Sequence, residues 1–282
     1  MGDRKRRQRR LTGVPRRQGV GVVSRYLDLD YLRLVPRRLA RRLFRHAPKT
    51  ASAEEALQSI EEPFRSALLS KYRNEPQTGT DGQRHEVDPS VKIPPSEGRW
   101  LYELCREIKP KEILEIGTCY GFSSLFFLAA VTKNGMGRVT SIDPYEEAMW
   151  HGIALASVKA SGASEKFQHL AERSDRASTD LARQKASFQV IFIDGSHRFD
   201  DVLTDFYLFA PLCAENGYII FDDLWMPSIQ SVVAFVRGNR LDFREQATTE
   251  SNIAVFKRTS QDSRPWDHFQ RFAVAYEPRG TR

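Results

Sequence analysis

Residues 188–202 read FQVIFIDGSHRFDDV. Five of the first six side chains are apolar, a run too continuous for a strand with one wet face and suited to one covered on both. The run stops at Asp194. A Gly-Ser turn carries the chain past His197 into FDDVLTDFYLFAPLC, where apolar residues return at helical spacing. The stretch is a buried strand feeding a helix, with a carboxylate and an imidazole at the junction.

The same unit recurs along the chain. EILEIG precedes GFSSLFFLAAVTK, RVTSID precedes YEEAMWHGIALASVKASG, FQHLAER precedes DRASTDLARQ, and GYIIFDD precedes PSIQSVVAFVRG. A further helix, EGRWLYELCREI, stands before the first strand. Strand-then-helix units imply right-handed crossovers, so the expected fold is α/β: a doubly wound, mostly parallel, Rossmann-like sheet. Two closing segments, DFREQAT and NIAVFKR, have no helix between them and predict an antiparallel pair at the sheet edge, for seven strands in all. Around this domain, residues 96–258, the chain divides into a disordered basic arm (1–25), a helical extension (26–95) and a tail (259–282) whose Trp266, Phe269 and Phe272 predict packing. The turn-rich passage 76–95 reads equally as a linker or as a lid over a pocket.

Charge is unevenly placed. Residues 1–50 carry 16 Lys/Arg against 3 Asp/Glu, whereas the remainder is acidic by 6 charges, so the overall +7 belongs to the arm. After Pro36, Leu39, Ala40, Leu43 and Phe44 fall at helical spacing among five arginines. This short basic helix, within residues 26–46, fits an anionic membrane surface or the protein's own body. Aromatic residues do not interleave with arginine in residues 1–25, so nucleic acid is not expected as a partner. Cys105, Cys119 and Cys213 form no paired motif, which predicts a reduced, cytoplasmic setting, with peripheral membrane contact as the alternative. Homo-oligomer formation stays open.

In an open parallel sheet, ligands bind beyond the carboxyl ends of the strands. Four of the five strand-to-helix turns hold an acid there, more than helix capping needs. The first turn is E-x-G-x-x-x-G (Glu115, Gly117, Gly121), and Asp143 ends the next strand 26 residues after Gly117. Glycines let the backbone approach a ligand, and a carboxylate one strand over can accept ribose hydroxyls. The pair points to an adenosine-containing cofactor.

EILEIGTCYGFSS, VTSIDPYE, FQVIFIDGSH and GYIIFDD together resemble the ordered motifs of class I S-adenosylmethionine-dependent methyltransferases. Within them they are similar to metal-dependent O-methyltransferases: the catechol enzymes and, in the D-G-S-H and D-D pairs, the macrolide-sugar enzymes. The resemblance covers about residues 96–258. It implies S-adenosylmethionine as cofactor, with Gly117, Gly121 and Ser123 at its methionine end, Glu115 supporting that turn, Asp143 on the ribose, and Ser174 and Asp194 as further contacts. It also implies Asp194, Asp222 and Asp223 as ligands of Mg²⁺, and His197 as general base. Catechol enzymes carry asparagine where Asp223 stands and lysine where His197 stands, departures that favour a sugar- or polyketide-directed enzyme.

The physical chemistry agrees with the resemblance. Three carboxylates converging at one sheet edge repel unless a cation lies among them, and all-oxygen ligation suits Mg²⁺. Histidine titrates near neutrality and can take a hydroxyl proton. The expected reaction is methyl transfer to a hydroxyl of a sugar, glycosylated natural product or other small molecule, with a second acceptor oxygen adjacent. Trp225 and Met226 would either line the acceptor pocket or pack. An NAD-dependent oxidoreductase is the rival reading, opposed by the lack of G-x-G-x-x-G. A non-catalytic accessory protein with a membrane-binding arm is another.

Overall fold

A computed structural model describes residues 52–274; the basic arm, the amphipathic helix after Pro36 and the last residues of the tail lie outside the described residues. In chain order the helices are α1 (Ala53–Ala56), α2 (Phe64–Tyr72), α3 (Pro95–Ile108), α4 (Phe122–Asn134), α5 (Glu146–Trp150), α6 (Ile153–Ala160), α7 (Ser174–Arg183), α8 (Phe199–Phe209) and α9 (Pro227–Asn239). The main sheet is built from β1 (Glu112–Ile116), β2 (Arg138–Ile142), β3 (Phe167–Leu170), β4 (Phe188–Ile193), β5 (Cys213–Phe221), β6 (Phe243–Gln246) and β7 (Ala254–Arg258). The strand order is β3-β2-β1-β4-β5-β7-β6. Strands β1 to β5 run parallel, and β7 is antiparallel to both of its neighbours. The expected closing pair is present, with the later segment inserted beside β5 and the earlier one left at the edge.

Register decides what the strand ends present. Ile116 pairs with Ile142 and Ile193, Ile142 with Leu170, and Ile193 with Phe221. These pairs level the carboxyl ends, so Gly117, Asp143, Asp194 and Asp222 emerge side by side. Strand order reverses between β1 and β4, where a crevice forms. Along the strands the apolar side chains alternate between two layers. Ile113, Val190, Phe192 and Ile220 pack with Leu101 and Phe126, whereas Leu114, Ile116, Ile191, Ile193 and Phe221 pack with Phe206, Val232 and Val236. Burial on both faces explains why β4 reads as an unbroken apolar run.

The stretch YEEAMWHGIALASVKASG predicts one helix, and the structure breaks it in two. His151 and Gly152 take left-handed backbone conformations, with φ of 58° and 68°. The Glu146 carboxylate then accepts the Ala154 N–H (2.9 Å) and caps α6 from the preceding helix. A small hairpin pairing Gln77–Thr78 with Arg84–His85 docks on the break. There the Thr80 N–H donates to the His151 carbonyl (3.0 Å), and a Cβ on Gly152 would lie 2.1 Å from the Thr80 hydroxyl. A helix period is visible in sequence; a docking partner 70 residues upstream is not.

The segment before the sheet joins its core. Leu57, Ile60, Phe64, Leu68, Val87 and Ile93 pack in one cluster with α3 and α4. In the tail, the Phe272 ring meets Phe235 of α9 (5.8 Å between centroids), while Trp266 is 97% exposed among the described residues. No helix among the described residues is long and apolar enough to cross a membrane.

Lys71 of α2 is fully buried and donates to the carbonyl of Tyr120, in the turn after β1 (3.0 Å). Burial pushes its pKa down to about 7, against the opposing pull of Cys119 and Glu146. An unfolded chain holds that proton up to the ordinary lysine range, so between the two values the unfolded state binds more protons and stability rises with pH. Lys71→Met removes this slope. From about pH 7.5 to about pH 9.5 the wild type should gain about 1–3 kcal/mol relative to the variant in urea unfolding. Parallel pH profiles for the two proteins would contradict this account of Lys71.

Candidate active site

The turn after β1 is fixed by close approach. Gly117 has φ 99°, and a Cβ there would lie 2.1 Å from the Asp194 carbonyl; Gly121 has φ 76° and backs onto Ala154. Only glycine meets both the left-handed conformation and the crossing with the end of β4. Asp143 clamps the same turn, accepting the N–H of Thr118 (3.2 Å), Cys119 (2.9 Å) and its own neighbour Tyr145 (2.8 Å). Glu115 lies beneath it, wholly buried, with one carboxyl oxygen accepting from the hydroxyls of Ser124 and Ser141 (2.5 Å) and the other unpartnered. Burial pushes Glu115 up to about 7, held back by Ser123, Ser124 and Ser141. Ser123, in the first turn of α4, is buried. Ser174 opens α7, and its hydroxyl donates to Asp205 of α8 (2.6 Å).

The acids at the ends of β4 and β5 form the second half of the crevice. Donor atoms of Asp194, His197 and Asp223 lie within 4.8 Å of one another. His197 Nε2 is 2.8 Å from Asp223 Oδ2 and 3.8 Å from Asp194 Oδ1, ion-pair contacts without the alignment of a hydrogen bond. Ser228 holds the His197 carbonyl (2.6 Å), which steadies the Gly-Ser turn. Burial opposes charge on His197, but the two carboxylates outweigh it and push the imidazole up to about 10. Burial raises Asp194 to about 6, with His197 opposing. Burial also acts to raise Asp223, yet His197 and the Trp225 N–H (2.8 Å) overcome it and hold that carboxyl below its ordinary value. Asp223 takes a left-handed conformation, φ 55°, one that aspartate tolerates better than most residues.

Asp222 stands outside this set. It turns the other way, accepting Asn252 Nδ2 at 2.7 Å, and its buried carboxyl faces Glu97. Burial, then Glu97, Asp194 and Asp223, push Asp222 well above the ordinary carboxylate range. Of the three carboxylates expected as one ligand set, Asp194 and Asp223 adjoin His197 while Asp222 adjoins Asn252 and Glu97.

Sequence reading missed Glu97 and Asn252. Glu97 lies in the first turn of α3, where an acid is ordinarily a complement to the helix dipole. The available signal is its stripe: Glu97, Leu101 and Cys105 fall at i, i+4 and i+8 on the buried face. Asn252 has no such signal, since it precedes β7 in an irregular segment.

A parallel sheet in this strand order, with an acid-and-glycine turn after β1 and acids on the neighbouring strand ends, is the class I methyltransferase fold. Residues 114–224 match the protein family described as "Methyltransferase domain". The chain is 26% identical over 136 residues to a catechol O-methyltransferase of Niastella koreensis, covering 48% of this chain and 58% of that protein. It is 26% identical over 172 residues to the O-methyltransferase hkm8 of Aspergillus hancockii, covering 60% of this chain and 66% of that one. The chain thus spans under two thirds of the length of these relatives. Among solved structures, the S-adenosylhomocysteine-bound methyltransferase PaMTH1 of Podospora anserina superposes with a TM-score of 0.56 at 14% identity, over 80% of this chain and 97% of that one. Residues 114–224 are thus similar to methyltransferase domains, and the fold is the one seen in PaMTH1.

The crossing at Gly117 has a measurable cost. Gly117→Ala should destabilise the protein by at least about 3 kcal/mol in urea unfolding, from strain and overpacking together. Gly135→Ala is also left-handed but has nothing within 4 Å of the new Cβ, so it should cost only about 1 kcal/mol. Equal losses at the two positions would mean that the Gly117 crossing is not tight.

Proposed function

We propose that this chain is an S-adenosylmethionine-dependent O-methyltransferase that uses a divalent cation, Mg²⁺ first, to methylate a hydroxyl with a second oxygen beside it. The observation that carries the reading is the convergence of Asp194, His197 and Asp223 next to the Gly117 turn. The residues present fit both groups. On the cofactor side are the tight glycine turn and the Asp143 and Glu115 carboxyls. On the cation side are hard oxygen donors from Asp194 and Asp223, Asp222 behind them, and a buried Glu97 oxygen without a hydrogen-bond partner among the described residues.

When bound, the cation supplies acidity to the acceptor hydroxyl. His197 lies on a short turn three residues past Asp194; with a cation meeting the charge of Asp194 and Asp223, which otherwise hold the imidazole protonated, it would be free to receive the acceptor proton. Asp194 and Asp223 hold its imidazole in place, and Ser228 fixes its backbone. Trp225 ties its N–H to Asp223 and leaves its ring 42% exposed beside the site, a flat apolar surface against which a sugar or aromatic acceptor can lie. Asp223 and His197 in place of the asparagine and lysine of catechol enzymes favour a sugar or glycosylated natural product. A phenolic diol is the second reading, supported by the relative named for catechol.

The test is a donor-dependent methylation screen over vicinal-diol sugars, glycosylated metabolites and catechols. Product should form with S-adenosylmethionine, disappear with EDTA and return with Mg²⁺. His197→Ala should lower kcat about 10²–10⁴-fold with S-adenosylhomocysteine affinity retained. Calorimetry showing NAD binding in place of S-adenosylhomocysteine would overturn the reading in favour of an oxidoreductase.

A further inference from the structure

Glu97 lies outside the residues that match the methyltransferase family, on a helix that precedes the first sheet strand. It is fully buried, and its carboxyl has Asp194, Asp222 and Asp223 as electrostatic neighbours. A buried acid in a crowd of acids is stable only with a proton of its own or with a compensating donor or charge beside it. One compensation is visible. Asn252 Nδ2 donates both to Glu97 Oε2 (3.3 Å) and to Asp222 Oδ1 (2.7 Å), a single amide bridging two carboxyls. The other Glu97 oxygen, Oε1, is buried with no hydrogen-bond partner among the described residues. An unmet buried acceptor costs about 1–3 kcal/mol, which a cation or a water held by one would relieve.

The bridge is braced on both sides. Ser96 donates to Glu250 (3.0 Å), tying α3 to the segment before β7. The Leu224 N–H donates to the Asn252 carbonyl (2.7 Å), tying the same segment to the turn after β5. Residues 250–252 therefore span from the start of α3 to the Asp222–Asp223 pair, and Asp222 is held between Glu97 on one side and Asp223 on the other. An acid that orients a ligand from behind commonly changes metal affinity by about 10–100-fold.

We propose that Glu97, acting through Asn252 on Asp222, is a positioning residue of the cation site and sets how tightly a divalent cation is held. The proposal rests on the cation reading given above. It assigns a part in the site to α3 that the strand-end motifs do not contain, and it gives Asn252 a role as the bridge.

The experiment titrates Mn²⁺ into the purified full chain, following free Mn²⁺ by electron paramagnetic resonance and S-adenosylhomocysteine binding by calorimetry. Glu97→Gln keeps the size and the acceptor for Asn252 but removes the charge. It should weaken Mn²⁺ binding about 10–100-fold, leave S-adenosylhomocysteine affinity within about twofold, and keep a cooperative thermal transition. Asn252→Ala, which cuts the bridge while leaving both acids, should weaken Mn²⁺ in the same direction and by less. If the wild type binds Mn²⁺, Asp223→Asn weakens it and Glu97→Gln binds as well as wild type, the role of Glu97 is refuted while the cation site stands. If the wild type binds S-adenosylhomocysteine but no Mn²⁺, the cation reading and this proposal fall together.

Discussion

Four carboxyls crowded at one sheet edge, Glu97 and Asp222 buried and Asp194 and Asp223 half-buried, are the constraint on which the remaining structure depends. Glu97, Asp194, Asp222 and Asp223 occupy a volume where charge is poorly solvated and like charges repel. The fold tolerates this by dividing them. Asp194 and Asp223 share the imidazole of His197, and Asp222 and Glu97 share the amide of Asn252. The Trp225 N–H adds a further donor to Asp223. Each device meets part of the charge, and none meets all of it.

The scaffold around the acids is arranged for level strand ends. Register along β1, β2, β4 and β5 sets Gly117, Asp143, Asp194 and Asp222 in one row, and the left-handed Gly117 lets the end of β4 cross within contact distance. Asp143 ties the turn that follows β1 to its own through the N–H groups of Thr118 and Cys119 on one side and of Tyr145 on the other. The helices ahead of the sheet do more than cover it. Lys71 reaches from α2 into that same turn, and Glu97 reaches from α3 into the acid cluster, so both halves of the crevice receive side chains from helices ahead of the sheet.

The repeated strand-helix units, the antiparallel closing pair and the glycine turn were legible in sequence, because each is written in neighbouring residues: apolar runs, helical spacing, an acid at a strand end. The strand-end acids were legible for the same reason, but as one set of Asp194, Asp222 and Asp223, whereas the structure groups Asp194 and Asp223 with His197 and leaves Asp222 beside Asn252. What was not legible depends on contacts between distant segments. The break at His151–Gly152 answers to Thr80, the direction of Asp222 answers to Asn252, and the part of Glu97 answers to three acids from other strands.

By itself the chain determined a doubly wound sheet with acids at its ligand edge, since periodicity two, periodicity near four and strand-terminal carboxylates are local properties that burial enforces. Only the tertiary structure decided which acids face one another, because two carboxyls separated by many residues meet or diverge according to sheet register and loop docking. That is why Asp222 and Asp223, adjacent in sequence, serve different neighbours: just past the strand, the left-handed backbone at Asp223 turns its carboxyl to His197 while Asp222 accepts from Asn252.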